Sequence, residues 1–445
     1  MKVSDIIKVN CIDLNYNGLG VSKVDDFIVF VDGLLVGEVA EVKITRITKN
    51  YANAEIIKLI ETSDDRVKPI CPVFGICGGC DIMHLRYDAQ LEFKKKSTNE
   101  TLKRLGNVDY VVEKIVGMED PYYYRNKVQV PFQMRNGKVI CGFYQKGTHE
   151  VVPFEKCFIQ PSTSTDIAIF IKDLANEYGI KAYEEKTKKG NIRHVLIRNT
   201  ADEDYMVVII TNEDILPKKE EIVKKIKNKF PNVKSIIQNI NNKKTNVILG
   251  DKTNLLFGTL TLFERLMGLK FILSYRSFFQ TNHVQTEKLY SKVLEYASPT
   301  KEDVIVDGYC GIGTISLMLA QHAKKVYGIE IVKDAVKDAK DNARINDVEN
   351  VEFILGKTEE EIINMKDIDI DIIVVDPPRK VCDKQLLDSI KEKRIKKIVY
   401  VSCNDATLAR DLEILDESYE IKDITLYDMF PHSSHVETIT LLERR

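Results

Sequence analysis

The stretch VIVDGYCGIGTISLMLA, residues 304–320, limits what this chain can fold into more than any other. A short β-branched run ends at Asp307, a glycine turn follows at Gly311-Ile312-Gly313, and an apolar helix-like run continues from it. Glycine permits the positive φ that a tight turn needs, and this order is that of a βα unit in a parallel sheet. The same alternation of strand, glycine turn and helix repeats from about residue 270 to the end. It predicts a parallel α/β sheet, with a ligand crevice outside the carboxyl ends of its strands.

Several chemically capable residues fall at such predicted strand ends. KKVYGIEI brings Glu330 to a strand tip about twenty residues after the glycines, where a carboxylate is placed to bind a ribose hydroxyl. The third position of a G-x-G-x-x-G pattern is Ser316, which argues against a dinucleotide, and the loop lacks the lysine of a triphosphate-binding loop. Asp307 before the turn suits a cofactor with an amino group, such as S-adenosylmethionine. DIIVVDPPRK is another buried strand, ending in Asp376-Pro377-Pro378-Arg379, where two prolines fix the backbone past the tip. IVYVSCNDATLARD ends a third strand at Ser402-Cys403-Asn404-Asp405 and then starts a helix. A packing cysteine belongs inside a strand; Cys403 stands at the tip, in a polar turn. A strand-end aspartate alone is more often a helix cap, but Asp307, Glu330, Asp376 and Cys403 together point to one active site.

The length of 445 residues suggests about three domains. Residues 1–60 form short β-rich runs punctuated by Gly18, Gly20, Gly33 and Gly37, the pattern of a small barrel. Lys43, Arg46, Lys49 and Tyr51 give it a basic-aromatic edge. Beyond it, CPVFGICGGC sets Cys71, Cys77 and Cys80 in a C-x5-C-x2-C pattern. Three thiols in a glycine-rich loop suit a metal, and the spacing does not choose between zinc and an iron–sulfur cluster. Cys141 and Cys157 are both candidates for the fourth ligand. DAQLEFKKKSTNETLKRLG follows as a helix, with Leu91, Thr98, Leu102 and Leu105 on one face. Residues 121–265 read as strands with two helical inserts.

Nine cysteines in a long chain favour metal or catalytic use over disulfides. No apolar run reaches the roughly 18 residues of a membrane helix, and MKVSDIIKVNCIDLNYNG has no apolar core of a signal peptide. A cytoplasmic protein is expected. The net charge of -2 does not advertise a nucleic-acid binder, although local patches matter more than the sum.

The ordered set NGLGVSKVDDFIVFVDGLLVGEVAEVKI, C-x5-C-x2-C, SFFQTN, DGYCGIGT, VVDPPRK, SCN-x-ATLARD and PHSSHVET resembles the S-adenosylmethionine-dependent RNA 5-methyluridine methyltransferases. The branch most similar is that of 23S ribosomal RNA (uracil-C5) enzymes carrying a TRAM barrel and a four-iron cluster, and the likeness covers essentially the whole chain. It implies a TRAM/OB-like β-barrel at 1–60 that binds RNA, a central α+β domain with the cluster at 61–268, and a class I, Rossmann-like α/β methyltransferase domain at 269–445. It implies a [4Fe-4S] cluster on Cys71, Cys77, Cys80 and Cys157. Gln280, Tyr309, Glu330 and Asp376 would contact S-adenosylmethionine, beside Asp307 and Gly311. Cys403 would be the nucleophile and Glu437 the base, with His432 and His435 as alternative bases; Asp376 would orient the base or the cofactor. A monomer acting on 23S ribosomal RNA is expected, with transfer RNA the alternative. Lys94, Lys95, Lys96, Arg125 and Lys127 are candidate phosphate contacts. Two positions depart from the family pattern: Asp405 stands where proline is usual, and Gly308 where a bulky residue is usual.

Overall fold

The computed structural model describes residues 1–378 and 382–445; Arg379 and Lys380 of the DPPRK run lie outside the described residues. The first five strands are β1 (Ile6–Leu14), β2 (Gly20–Val24), β3 (Phe27–Asp32), β4 (Val39–Ile47) and β5 (Tyr51–Glu61), closed into a barrel in the order β1-β2-β3-β5-β4. Side chains of a strand alternate between faces, and β4 shows it: Ala40, Val42 and Ile44 fill the barrel while Glu41, Lys43 and Thr45 face water. Lys43, Arg46 and Lys49 are exposed, and Tyr51 packs edge-on against Phe30.

Helix α1 (Tyr87–Gly106) and strand β6 (Lys114–Val116) follow the cysteine loop. The buried stripe of α1 is Gln90, Lys94, Thr98, Leu102 and Gly106, a strict four-residue spacing. Leu105, expected on that face, is exposed, and Leu91 is half-buried. The reason is the surface it meets. Polar groups of the C-terminal region await it: Asp428 takes Lys94, and Asp405 takes Thr98. Gly106 packs against the Ala409 backbone so closely that a Cβ there would lie 2.3 Å from its carbonyl oxygen.

The middle of the chain contains β7 (Lys127–Arg135), β8 (Lys138–Tyr144), β9 (Val151–Pro153), β10 (Ile192–Asn199), β11 (Tyr205–Thr211), β12 (Val233–Ile240) and β13 (Lys252–Gly258). They form one seven-stranded sheet, order β13-β12-β11-β10-β7-β8-β9. Helices α2 (Ser162–Glu177) and α3 (Lys219–Lys229) cover it. The hairpin of β14 (Thr261–Leu266) and β15 (Leu269–Ser274) spans the expected boundary at residue 268 and leads into α4 (His283–Ala297).

The last third holds β16 (Val304–Gly308), α5 (Thr314–Ala320), β17 (Lys325–Glu330), α6 (Lys333–Ile345), β18 (Val351–Leu355), α7 (Thr358–Asn364), β19 (Ile372–Val375), α8 (Lys384–Glu392), β20 (Lys397–Ser402), α9 (Asp405–Leu415), β21 (Tyr419–Tyr427) and β22 (Glu437–Arg444). The sheet order is β18-β17-β16-β19-β20-β22-β21-β6. The strands from β16 to β20 pair in parallel, as the alternation predicts, and β22 enters antiparallel. The four residues of β19 are all buried, as helices on both faces require. Strand β6, far upstream, extends the sheet by pairing in parallel with β21.

Candidate active site

The strand order reverses between β16 and β19, where an open α/β sheet forms its crevice. Glu330 ends β17, Asp307 is the next-to-last residue of β16, Asp376 follows β19 and Cys403 follows β20. Because β22 is antiparallel, its first residue, Glu437, lies at this same edge. The last rung between β20 and β22 pairs Ser402 with Thr438, so Cys403 and Glu437 are the next residues outward on neighbouring strands. Glu437 is buried. The phenol of Tyr290 on α4 is held protonated by burial and then by the charges of Asp376, Asp307 and Glu437, so each of these carboxyls lies near enough to act on it.

The turn after β16 is a cradle. Tyr309, Gly311 and Gly313 have φ of 65°, 56° and 82°. A Cβ on Gly313 would come within 2.7 Å of the Phe353 ring, whereas one on Gly311 would meet nothing within 4 Å, so the space over Gly311 is open. Glu330 braces the loop: its carboxylate accepts from Gly311 N at 3.0 Å and Val332 N at 2.8 Å. Asn342 Nδ2 holds the Ile312 carbonyl at 3.0 Å. Ser316 Oγ donates to Asp307 Oδ2 at 2.5 Å, while Asp307 Oδ1 is buried with no partner among the described residues. An orphaned buried acceptor costs about 1–3 kcal/mol, and a ligand's amino group would satisfy it. Burial, with Asp376 nearby, pushes Asp307 up to about 7, and burial pushes Asp376 up to about 7. A cationic ligand would pull both back down. The donor set therefore fits S-adenosylmethionine.

Gln280 is buried in the SFFQTN loop, where its carbonyl accepts from Asn126 Nδ2 at 3.0 Å. Gly308 is explained by Thr358, whose Cγ2 would lie 2.8 Å from a Cβ at that position. Cys403 is half-buried in the turn, and Asn404 caps α9 by accepting from Ala406 N and Thr407 N at 3.0 and 3.3 Å.

The loop before Glu437 is tied down from outside the sheet. The His432 carbonyl accepts from Asp81 N and Ile82 N at 2.9 and 3.0 Å, and Tyr124 hydroxyl donates to the Pro431 carbonyl at 3.0 Å. His432 stacks on Tyr122 at 4.8 Å, and burial pulls it down to about 4. Beside this loop, a cavity of about 540 Å³ is lined by Gly79, Arg125, Lys127, Phe278, Phe430 and His435, among others. Phe278 is exposed, and burial, with Arg198 close by, brings Lys127 down to about 7.

Of the three consecutive lysines of α1, Lys94 is no phosphate contact. Its side chain is completely buried, 2.6 Å from Asp428 Oδ1, with the Phe430 carbonyl at 3.2 Å. Lys95 pairs with Glu92 and Lys96 with Asp13. The buried acid just past β21 draws Lys94 alone inward, while Lys95 stays half-buried and Lys96 exposed.

Cys71, Cys77, Cys80 and Cys157 line one largely apolar cavity, and Cys141 instead packs in the central core. Burial raises Cys77, Cys80 and Cys157, the last to about 11, and the neighbouring thiols add to each. Among the described residues no group of three or more His, Cys, Asp or Glu is disposed to hold a metal ion. Among the described residues, too, no helix is long and apolar enough to cross a membrane.

A crevice at the reversal point of a doubly wound sheet, with an amino-group acceptor under a glycine turn, defines the class of S-adenosylmethionine-dependent methyltransferases. The comparisons with known proteins narrow it. The family model for tRNA (uracil-5-)-methyltransferase matches residues 86–445, and that for the TRAM domain matches residues 3–57. An uncharacterized RNA methyltransferase of Clostridium acetobutylicum is 47% identical over 97% of this chain and 95% of its own length. One of Halalkalibacterium halodurans is 44% identical over 99% and 97%. The crystal structure of Pyrococcus abyssi tRNA (uracil-54, C5)-methyltransferase with S-adenosyl-L-homocysteine superposes with a TM-score of 0.80 at 30% identity, covering 98% of this chain and 99% of that one. The chain belongs to the tRNA (uracil-5-)-methyltransferase family: it is an S-adenosylmethionine-dependent RNA uracil-C5 methyltransferase with an N-terminal TRAM barrel.

Proposed function

We propose that this enzyme methylates C5 of a uridine in 23S ribosomal RNA, with Cys403 as nucleophile and Glu437 as base. The observation that carries the catalytic part is the placement of Cys403 and Glu437 next to the last β20–β22 rung, beside Asp376. Uracil C5 is a poor nucleophile until C6 is attacked. The Cys403 thiolate forms a bond to C6, and the C5–C6 π pair becomes enolate density on C5 and O4. S-adenosylmethionine, when bound, supplies an electrophilic methyl group that C5 takes up. Glu437 then removes the C5 proton, the C5–C6 double bond re-forms, and the thiolate leaves. A free thiol is only a few per cent ionised at neutral pH, so the crevice must stabilise the anion.

Asp307, Gly311, Tyr309, Glu330 and Gln280 hold the cofactor in this reading, and Asp376 orients it or the base. The target base reaches Cys403 from the cavity beside Phe278, with Arg125 and Lys127 on phosphate. The chain divides into an RNA-binding barrel (1–60), a central domain (61–268) and a catalytic domain (269–445). Cys71, Cys77, Cys80 and Cys157 hold a structural [4Fe-4S] cluster in this reading; support comes from the cavity they share. The enzyme works as a monomer in the cytoplasm.

Ribosomal RNA is preferred on the four-cysteine set and the barrel. Transfer RNA is the second reading, favoured by the likeness to the Pyrococcus enzyme. Mapping 5-methyluridine in 23S and transfer RNA from a strain lacking the protein tests it. Loss confined to 23S RNA is expected; loss confined to transfer RNA overturns the choice.

A further inference from the structure

The turn that carries Cys403 also carries a carboxylate for which the reaction has no use. Asp405 is the first residue of α9. Its Oδ2 accepts from Thr98 Oγ1 of α1 at 2.6 Å, and its Oδ1 accepts from Thr438 Oγ1 of β22 at 3.1 Å. Both threonines are fully buried. Thr438 directly follows Glu437 and stands opposite Ser402, which directly precedes Cys403. One side chain thus joins three segments: the turn of the thiol, the strand of the base, and a helix from far upstream.

These are the places that need a tie. The β20–β22 ladder stops at Ser402–Thr438, so no further rung of that ladder joins the Cys403 turn to the strand of Glu437, which pairs on its other side with Tyr427 of β21; ends of ladders are where local opening costs least. A carboxyl at the first turn of a helix is favoured by the helix dipole and by two hydroxyl donors. Burial works against its charge and raises its pKa. The site tolerates that cost, and a proline in the same place would offer neither threonine an acceptor.

We propose that Asp405 is a positioning residue for uracil-C5 methylation: it fastens the Cys403 turn to the Glu437 strand, and both to α1, so that thiol and base keep one separation through addition and elimination. The proposal rests on the roles assigned to Cys403 and Glu437.

The test is steady-state methyl transfer by the full-length enzyme and its Asp405→Ala, Asp405→Asn, Thr438→Val and Cys403→Ala variants, with thermal midpoints alongside. A misplacement of an ångström costs on the order of 100-fold in rate. Asp405→Ala and Thr438→Val should therefore lose about 10- to 100-fold in kcat, with KM for RNA and cofactor unchanged. Asp405→Asn should recover most of it, since a threonine hydroxyl both donates and accepts and can bond either end of the amide. Thermal midpoints that fall while kcat stays at the wild-type value in Asp405→Ala and Thr438→Val overturn the proposal. So does Asp405→Asn as slow as Asp405→Ala, because charge and not tethering would then be at issue. An active Cys403→Ala would instead refute the covalent reading beneath it. Should Asp405→Ala fail to fold, Thr438→Val and Thr98→Val carry the same comparison.

Discussion

Replacing Lys94 by methionine separates two roles for the α1 lysines. Lys94 and Asp428 are both completely buried and 2.6 Å apart, and Asp428 also accepts from the Tyr87 hydroxyl at 2.8 Å. Methionine keeps the unbranched apolar stem of lysine, ends one atom short of the ammonium, and leaves Asp428 charged and enclosed. Breaking a buried pair from one side costs about 3–5 kcal/mol. With about 2–4 °C per kcal/mol for a unit of 150–250 residues, the melting midpoint should fall by roughly 6–20 °C. The Tyr87 hydroxyl keeps one bond to Asp428, which favours the lower half of that range. Scanning calorimetry of Lys94→Met, with Asp428→Asn and the double variant, measures it. The double variant should recover part of the loss, because no unpaired charge remains. RNA affinity should keep its wild-type salt dependence below the melting range. The reasoning is refuted if the midpoint is unchanged and the slope of log affinity against log salt drops by about one contact, since Lys94 would then be reaching phosphate.

Burial raises Asp307 and Asp376 to about 7, so cofactor affinity should rise with pH up to about 7 and level off above it. The sign follows from the charge, as a cationic ligand prefers both carboxyls ionised. The same raised values make the ligand-free protein lose stability between the unfolded carboxyl pKa of about 4 and pH 7; calorimetric titration and melting across pH 5–8 check both. Lys127 titrates near 7, so RNA binding should weaken as pH rises through that value, and Lys127→Met should flatten the trend in a filter-binding assay. Gly308→Phe should destabilise the protein by about 1–3 kcal/mol through overpacking, with the Thr358 methyl as the obstacle, and adding Thr358→Gly should relieve it. Anaerobically purified protein should hold about four irons if Cys157 completes a [4Fe-4S] site. Cys157→Ser should lose them and Cys141→Ser should not; one zinc per chain would contradict the cluster.

Much of the crevice was legible because strand tips are marked in sequence. An apolar β-branched run followed by Asp, Gly or Pro fixes where a parallel strand ends, and the sheet then brings Asp307, Glu330, Asp376 and Cys403 to one edge. Glu437 could not be read that way. Its strand runs antiparallel, so the functional residue opens the strand, and only the likeness of PHSSHVET to a known family pointed to it. The face of α1 was legible at Thr98 and Leu102 but not at Leu105, which is exposed, because the first half of the buried stripe is polar. Gln90, Lys94 and Thr98 are inside only because Leu85, His432, Asp428 and Asp405 supply partners, three of them more than 300 positions away in the chain. Local periodicity carries no trace of such partners. The same holds for Asp405, which the sequence marked as a departure and the structure explains through Thr98 and Thr438. Ser316 was read only as a departure from a dinucleotide pattern, yet its hydroxyl holds Asp307 in place.

The covalent role of Cys403 is tested most directly by incubating Glu437→Gln with cofactor and a uridine-containing RNA, then resolving the products under denaturing conditions. The account predicts a protein–RNA band that survives denaturation, because the C5 proton stays in place and the thiolate cannot leave. It predicts no band from the Cys403→Ala/Glu437→Gln double variant. A stable band from that double variant, or full methyl transfer by Cys403→Ala, would contradict it.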